Sequence, residues 1–370
     1  MNSLGFDKKE HDTKVVVAMS GGVDSSVAAV MLKKEGYDVI GVTLKLYNQI
    51  NLNSSKSCCA GKDIADAKKI AKQYDFPHFT FDYQDKFFDG VIDNFVESYA
   101  NAETPVPCIQ CNQTVKFRDL LSEARKMNAD ALVTGHYVRR EGDNDNAKLF
   151  KAKDINKDQS YFLHSVREKA LANTIFPLGE LTKPKVRKIA KKEGLITSEK
   201  KDSTGICFIG ERPFPEFLSN YLPLNPGEIL DEGGKKIGEH KGLPFYTLGQ
   251  RQGLGIGGKK DSTNNAWYVA NKDLTNNVLV AVQGNNHPLL MSSKLETRNL
   301  VLVNPIETKK FLGKAKVRYR QEDQDCQIEI MKNKLKIRFV KPQRAVTPGQ
   351  SVVIYKDEVC LGGGEIQDIS

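Results

Sequence analysis

A β-branched apolar run, Val15-Val16-Val17, leads through Ala18 and Met19 into the polar turn Ser20-Gly21-Gly22-Val23-Asp24-Ser25-Ser26. The apolar stretch Val27 to Leu32 follows, so the pattern predicts a strand, an anion-sized loop and a helix that ends at Gly36. Asp38 to Leu46 reads as the next strand and completes one βαβ unit. Apolar residues at helical spacing predict helices over 62–74, 87–99 and 117–127, and short strands are predicted at 77–81 and 131–134. Strands alternating with helices predict an α/β fold with a doubly wound parallel sheet, whose ligands sit at the carboxyl ends of the strands. That rule gathers the strand ends near Ser20, Leu44 and Gly135 around one crevice.

Arg139 to Asn146 is polar and without periodicity, as a surface excursion is. Thr182, as N-cap, and Pro184 open a helix that Gly194 ends. Its lysines and Arg187 form either a basic face or an ordinary solvated one. Beyond Gly210 the pattern changes to short β-like segments separated by glycine turns, such as Gly233-Gly234, Gly242 and Gly253 to Gly258. We therefore expect three units: 1–210, the α/β domain; 211–284, a small, mostly β central domain; and 285–370, a C-terminal β-barrel.

Composition narrows the setting. The chain of 370 residues contains no apolar run long enough to span a bilayer, and Met1 to Lys14 is unlike a signal peptide, so a cytoplasmic protein with no membrane partner is expected. Seven cysteines do not make a secreted disulfide scaffold. A formal net charge of +9 favours an anionic partner, and nucleic acid is the large one it fits. Much of the surplus lies between Phe311 and Arg344, with ten Lys/Arg against four Asp/Glu and Tyr319 set between Arg318 and Arg320. That segment is either a surface for phosphates and a stacked base or the charged exterior of a barrel.

The glycine turn is not a Walker loop, because no lysine follows Gly22. Asp24 stands where that cation would be, which makes sense if it holds Mg²⁺ and the metal holds the phosphates. Two cysteines, Cys108 and Cys111, follow Pro105 and Pro107, just before the predicted helix and close to Lys116. A thiol near a helix N-terminus and a lysine is expected to have a depressed pKa and to be nucleophilic. Cys207 lies in the small-residue run Asp202-Ser203-Thr204-Gly205-Ile206-Cys207. A zinc or iron–sulfur site is the competing reading of Cys108 and Cys111, although no second CxxC supplies further ligands and Cys58-Cys59 is an awkward chelating pair. Cys326 and Cys360 fall in strand-like segments and read as buried, inert thiols.

The run SGGVDSS resembles the PP-loop of ATP pyrophosphatases, which split ATP between its α and β phosphates. Four further stretches extend the likeness: the PxPxxxCNxxxKF run ending at Phe117, Val133 to Tyr137, Lys157 to Leu163, and Asp202 to Gly210. With Gly227-Glu228-Ile229 and Tyr246 to Arg251 they come in the order, and cover the chain, of the bacterial tRNA-specific 2-thiouridylase family, which the sequence therefore resembles as a whole. The resemblance implies a PP-loop domain of the adenine nucleotide α-hydrolase-like kind, with ATP bound by Ala18, Met19, Ser20, Gly21, Gly22, Val23, Asp24 and Ser25, Mg²⁺ at Asp24, and further nucleotide contacts from Leu44 and Gly135. It implies adenylation of the 2-oxygen of the wobble uridine in tRNAs for Lys, Glu and Gln. Sulfur would then come from a persulfide on Cys207, itself loaded by a cysteine desulfurase or sulfur-relay protein. Cys111 would form a disulfide with Cys207 as the sulfur leaves. His136, Lys157, Asp158, Gln159, Arg318, Tyr319 and Gln350 are implied tRNA contacts, His136 as a positioning group. Some family members carry Asp where this chain has Cys108, which leaves that residue's role open. Two rival readings are a different PP-loop ligase, for which nothing here resembles an ammonia-supplying domain, and a non-catalytic RNA-binding protein with a vestigial loop.

Overall fold

Val15, Val16 and Val17 are all fully buried, and they serve two cores. Val15 and Val17 pack with Val27, Ala28 and Val30 on one side of a sheet, whereas Val16 packs with Leu120, Leu121 and Ala124 on the other. A strand buried on both faces has this unbroken apolar character because neighbouring side chains point in opposite directions. The structure, a computed structural model, describes residues 1–47, 59–142, 146–202, 205–210, 212–256 and 265–370. Cys58, the Cys59 side chain, Ser203, Thr204 and Gly257-Gly258, all named above, lie outside the described residues.

The strands, in chain order, are β1 (Lys14–Ala18), β2 (Asp38–Lys45), β3 (His78–Asp82), β4 (Ala131–Thr134), β5 (Val138–Glu141), β6 (Lys148–Lys151) and β7 (Thr174–Ile175). The first sheet has the order β3-β2-β1-β4-β7 and is parallel throughout. Its order reverses between β1 and β4, so the crevice opens between the loops that follow those two strands. β8 (Gly227–Leu230), β9 (Lys236–His240), β10 (Trp267–Asp273) and β11 (Val278–Gln283) form a small central sheet.

β12 (Met291–Leu302), β13 (Lys310–Lys316), β14 (Gln324–Ile330), β15 (Leu335–Arg344), β16 (Ser351–Lys356) and β17 (Val359–Ile369) form an antiparallel barrel, closed where β17 pairs with β12. Leu295, Ile328, Ile337, Val352 and Ile366 fill it. Closure removes the free edges an open sheet would present.

Several local expectations are corrected. The first helix spans Val23–Lys34, so Asp24, Ser25 and Ser26 belong to its first turn and not to the loop before it. The cysteine helix begins at Pro107, whose fixed φ suits a first helical turn. Cys108 and Cys111 are therefore inside the helix, which continues as a π-helix over Asn112–Leu120 and an α-helix over Leu121–Lys126. The supposed excursion after Arg139 is the β5–β6 hairpin, and β6 is added to the edge of β17 through the pairs Leu149↔Cys360 and Phe150↔Val359. The Lys183–Lys192 helix does not display all its cations, because Lys183 is buried.

Glu103 and Thr104, immediately before the cysteine helix, tie that helix to the barrel and to the segment around Thr247. Thr104 N donates to Pro348 O at 2.9 Å and its carbonyl accepts from Gln350 Nε2 at 2.7 Å, both on the barrel side. The Thr104 and Thr247 hydroxyls lie 3.2 Å apart, and Arg298 bonds Glu103 at 2.6 Å.

Candidate active site

Gly21 has φ +71°, and a Cβ there would lie 2.3 Å from Asp63 O, so only glycine fits the turn. Gly22 caps the Val23–Lys34 helix. Ser25 Oγ accepts from Ser20 N at 3.1 Å, and Ser26 Oγ donates to Gly22 O at 2.7 Å. These bonds close the loop over the helix N-terminus, whose first amides have no acceptor within the helix and face an incoming anion. Gly135 closes the other wall: a Cβ there would lie 2.8 Å from Ser25 N and 2.9 Å from the Asp24 carbonyl carbon. Leu44, at the end of β2, is half-buried.

The cation absent from the motif comes from elsewhere in the chain. Lys183 Nζ lies 2.7 Å from both Asp24 oxygens and 2.9 Å from Asp202 Oδ1. Tyr137 donates its hydroxyl to Asp24 Oδ1 at 2.8 Å, and burial, reinforced by Asp24, raises its pKa. Asp202 also takes Lys157 and Arg187, each at 2.7 Å. Burial works against the Asp202 charge, but the bonds from Lys157 and Lys183 prevail and hold its carboxyl down at about 2. Lys200 Nζ donates to Gly21 O at 2.8 Å, Asp63 Oδ1 at 2.7 Å and Asp66 Oδ2 at 2.8 Å.

The cysteines gather around a core that packs against Leu44 and Phe81, at the carboxyl ends of β2 and β3. Cys111 is 6% exposed and shares an apolar core with Val115, Phe208 and Phe217. Phe208 and Ile209 in that core anchor the turn bearing Cys207, which is itself exposed. The two thiols and that of Cys108 are close enough to act on one another electrostatically, and Lys116 acts on all three. Burial raises the thiol pKa of Cys108 and Cys111, while Lys116 opposes it. Cys207 is raised in the same direction, by burial first and then by Cys111 and Cys108, although its exposure to water moderates the effect. The expected depression is thus reversed: Cys111 ends an α-helical turn inside a hydrophobic core, where desolvation outweighs one lysine. Cys108, Cys111 and Cys207 are free thiols, as are the buried Cys326 and Cys360. Among the described residues, no group of three or more His, Cys, Asp or Glu is placed to hold a metal.

The residues expected at tRNA have varied surroundings. His136 is half-buried, bonds Thr134 Oγ1 through Nδ1 at 2.9 Å, and is held well below the ordinary histidine pKa by burial and Lys116. Asp158 is 4% exposed and accepts from Ala152 N, Ser160 N and Ser160 Oγ. Gln159 exchanges bonds with the Tyr137 backbone, accepting from its N–H at 2.8 Å and donating its own N–H to its carbonyl at 2.9 Å. Arg318 donates to Ala345 O at 2.7 Å, Tyr319 lies against Phe162 with ring centres 4.3 Å apart, and Gln350 holds Thr104. These residues order the walls between domains. Lys183, Lys200, Asp202 and Tyr137 are the site members that motif reading missed. Only the lysine-rich helix start and the stretches around Tyr137 and Asp202 marked their neighbourhood.

Comparison with known proteins gives a consistent picture. Residues 13–211 match the family described as tRNA methyl transferase HUP domain, residues 215–283 the tRNA methyl transferase PRC-barrel domain, and residues 292–366 the aminomethyltransferase beta-barrel domain. A tRNA-specific 2-thiouridylase MnmA of Pseudomonas putida (strain GB-1) is 50% identical over 356 residues, which are 96% of this chain and 95% of that one. Its counterpart in Pseudomonas aeruginosa (strain UCBPP-PA14) is 49% identical over 355 residues, 96% of this chain and 94% of its own. Among solved structures, a 4-thiouridine synthetase–RNA complex with bound ATP aligns with 18% identity and a TM-score of 0.37, covering 57% of this chain and 50% of that one. The NMN synthetase of Francisella tularensis aligns with 18% identity and a TM-score of 0.35, covering 57% and 73%.

Proposed function

Because this chain belongs to the tRNA-specific 2-thiouridylase family, we propose that its crevice and thiols carry out ATP-dependent 2-thiolation of the wobble uridine in tRNAs for Lys, Glu and Gln. It is a sulfurtransferase acting on tRNA. The observation that carries the finer reading is the convergence of Cys111 and the Cys207-bearing turn on one core, which packs against Leu44 and Phe81 at the carboxyl ends of β2 and β3.

The loop Ala18 to Ser25, with Leu44 and Gly135, holds ATP so that its α phosphate meets the uridine 2-oxygen. That oxygen attacks phosphorus, pyrophosphate leaves, and the poor leaving group becomes AMP. Amides at the helix N-terminus and Lys183 stabilise the charge that develops on the phosphates. Magnesium, when bound, would neutralise phosphate charge; Asp24 is the carboxylate that fits it, in competition with the Lys183 ammonium it now pairs with.

Sulfur arrives as a persulfide on Cys207, the exposed thiol, loaded by a cysteine desulfurase or sulfur-relay protein. The Cys111 thiolate attacks the inner sulfur, a Cys111–Cys207 disulfide forms, and the terminal sulfur leaves as sulfide. Sulfide adds to C2 and expels AMP. A dithiol reductant then returns both cysteines to thiols. Burial raises both thiols and Lys116 works against it at each, so each reacts through the thiolate fraction that the lysine favours. His136, uncharged at neutral pH, positions the base, and Lys157, Asp158, Gln159, Arg318, Tyr319 and Gln350 line or brace the tRNA path.

No helix among the described residues is long and apolar enough to cross a membrane, and tRNA as substrate favours the cytoplasm. The test is direct: purified protein, ATP, Mg²⁺, a sulfide donor and unmodified tRNA, with thionucleoside read by mass spectrometry. Thiouridine and pyrophosphate in equal amounts are expected. RNA binding without either product would favour a vestigial loop, and pyrophosphate without thiouridine would favour a different ligase.

A further inference from the structure

We propose that Lys200 is a positioning residue for the nucleotide loop: it fixes the Gly21–Gly22 peptide for phosphate binding and so ties the Cys207-bearing segment to nucleotide occupancy. The inference rests on the functional reading above and adds to it a physical link between the ATP site and the sulfur-carrying thiol.

The Gly21 carbonyl and the Gly22 N–H belong to one planar peptide unit, so a donor fixed on the carbonyl decides where the N–H points. With glycine on both sides, that unit otherwise rotates at little cost. Lys200 Nζ bonds the carbonyl at 2.8 Å and places its other two protons on Asp63 and Asp66, at 2.7 and 2.8 Å. Both carboxylates lie on the Cys59–Gln73 helix. The ammonium is thereby saturated, since it has three protons to give. A cation on the carbonyl also polarises the peptide and makes Gly22 N–H, at the cap of the Val23–Lys34 helix, a stronger donor to a phosphate. Partial burial works against the Lys200 charge, but the bonds from Asp63 and Asp66 prevail and raise its pKa.

A second tie lies two residues on. Asp202 bonds Lys183 at 2.9 Å, and Lys183 bonds Asp24 at 2.7 Å in the first helical turn. Arg187 secures the same stretch through Ser198 O at 2.8 Å, Lys200 O at 2.9 Å and Asp202 at 2.7 Å. The segment 198–202 is thus docked on the loop from both ends of the glycine turn, and Cys207 follows five residues later. Binding couplings are reciprocal: if the docked segment strengthens nucleotide binding, nucleotide strengthens docking by the same factor. The thiol that carries sulfur is held in place when ATP is present.

The experiment needs no tRNA. An ATP analogue with an uncleavable α–β bridge is titrated calorimetrically into the wild type, Lys200→Met and Lys200→Arg. Alkylation of Cys207 by iodoacetamide is followed by peptide mass spectrometry with and without saturating analogue. In the wild type, the analogue should slow Cys207 alkylation about fivefold; Lys200→Met should bind it about tenfold more weakly and lose the protection, and Lys200→Arg should recover most of both. Equal alkylation rates with and without bound analogue in the wild type would overturn the proposal, as would wild-type affinity in Lys200→Met. The wild-type comparison decides whether or not Lys200→Met folds. Failure to make thiouridine with protection intact would remove the thiolation reading alone; thiouridine formed without protection would remove this inference alone.

Discussion

Lys183 and Asp24 form a two-oxygen ion pair, with Nζ 2.7 Å from each carboxylate oxygen, across 159 positions of sequence. Because the Lys183 side chain is only 9% exposed, the pair is half a structural bond and half the electrostatic floor of the phosphate site.

Replacing Lys183 by Met leaves Asp24 and Asp202 facing one another without the cation between them. We expect a stability loss of roughly 3 kcal/mol, as for breaking a buried pair from one side, and at least tenfold weaker nucleotide binding. Asp24→Asn should cost less stability, because Lys183 keeps Asp202, yet should still impair pyrophosphate release. Denaturant titration and a pyrophosphate assay separate the two effects. Equal stability losses would show that Lys183 is anchored by Asp24 alone.

Cys207→Ser should abolish persulfide labelling, whereas Cys111→Ser should retain the label and fail to turn over with persulfide as donor. Cys108→Ser should keep turnover. An active Cys111→Ser with an inactive Cys108→Ser would exchange the two roles. Since both helix thiols are raised by burial, the alkylation rate of Cys111 should keep climbing as pH passes about 10, where an ordinary thiol has levelled off.

Two glycine substitutions should act with opposite sign. At Gly135 a Cβ meets backbone atoms of Asp24 and Ser25 at 2.8 to 2.9 Å, so Gly135→Ala must displace the helix start. It should cost ~1–3 kcal/mol and weaken ATP binding. At Gly61, in the Cys59–Gln73 helix, a Cβ meets nothing within 4 Å, and Gly61→Ala should stabilise by ~0.5 kcal/mol or slightly more. Thermal melts with and without ATP check both.

Asp202 gives an acid-side signature. Its folded pKa, about 2, lies below the ordinary 3.8 of an aspartate, so its contribution to stability is complete above about pH 5 and is lost as pH falls from there toward 2. Asp202→Asn should be less stable than the wild type at neutral pH, with the difference shrinking between about pH 5 and 2. Denaturation midpoints measured across that range test the sign. A difference that stays constant down to pH 2 would mean the carboxylate is not favoured by the fold.

Residues whose partners lie nearby in sequence were legible. The valines of β1, the glycine turn and the βαβ rhythm announced a parallel sheet with a phosphate loop, and the short C-terminal strands announced a barrel. What failed were features decided at long range or by context. Pro107 reads equally as an extended approach and as a first helical residue, and the cysteine helix took the second course. The charge pattern of Arg139–Asn146 hides a hairpin because the strand it joins, β17, lies at the far end of the chain. The thiol pKa values were misjudged because sequence shows the lysine next door but not the phenylalanines that bury the sulfur. Lys183 looked like one lysine of a solvated row, and nothing local reports that Asp24 awaits it.

The β5–β6 hairpin has a consequence for synthesis. β6 pairs with β17 through residues made roughly 200 positions later, a delay on the order of 10–40 s at ordinary elongation rates. During that time the nascent first domain leaves the ribosome with one ladder edge of β6 uncovered, the kind of template that recruits other chains. Its brevity, four residues with lysine at both ends, limits that hazard until the last strand arrives to cover it.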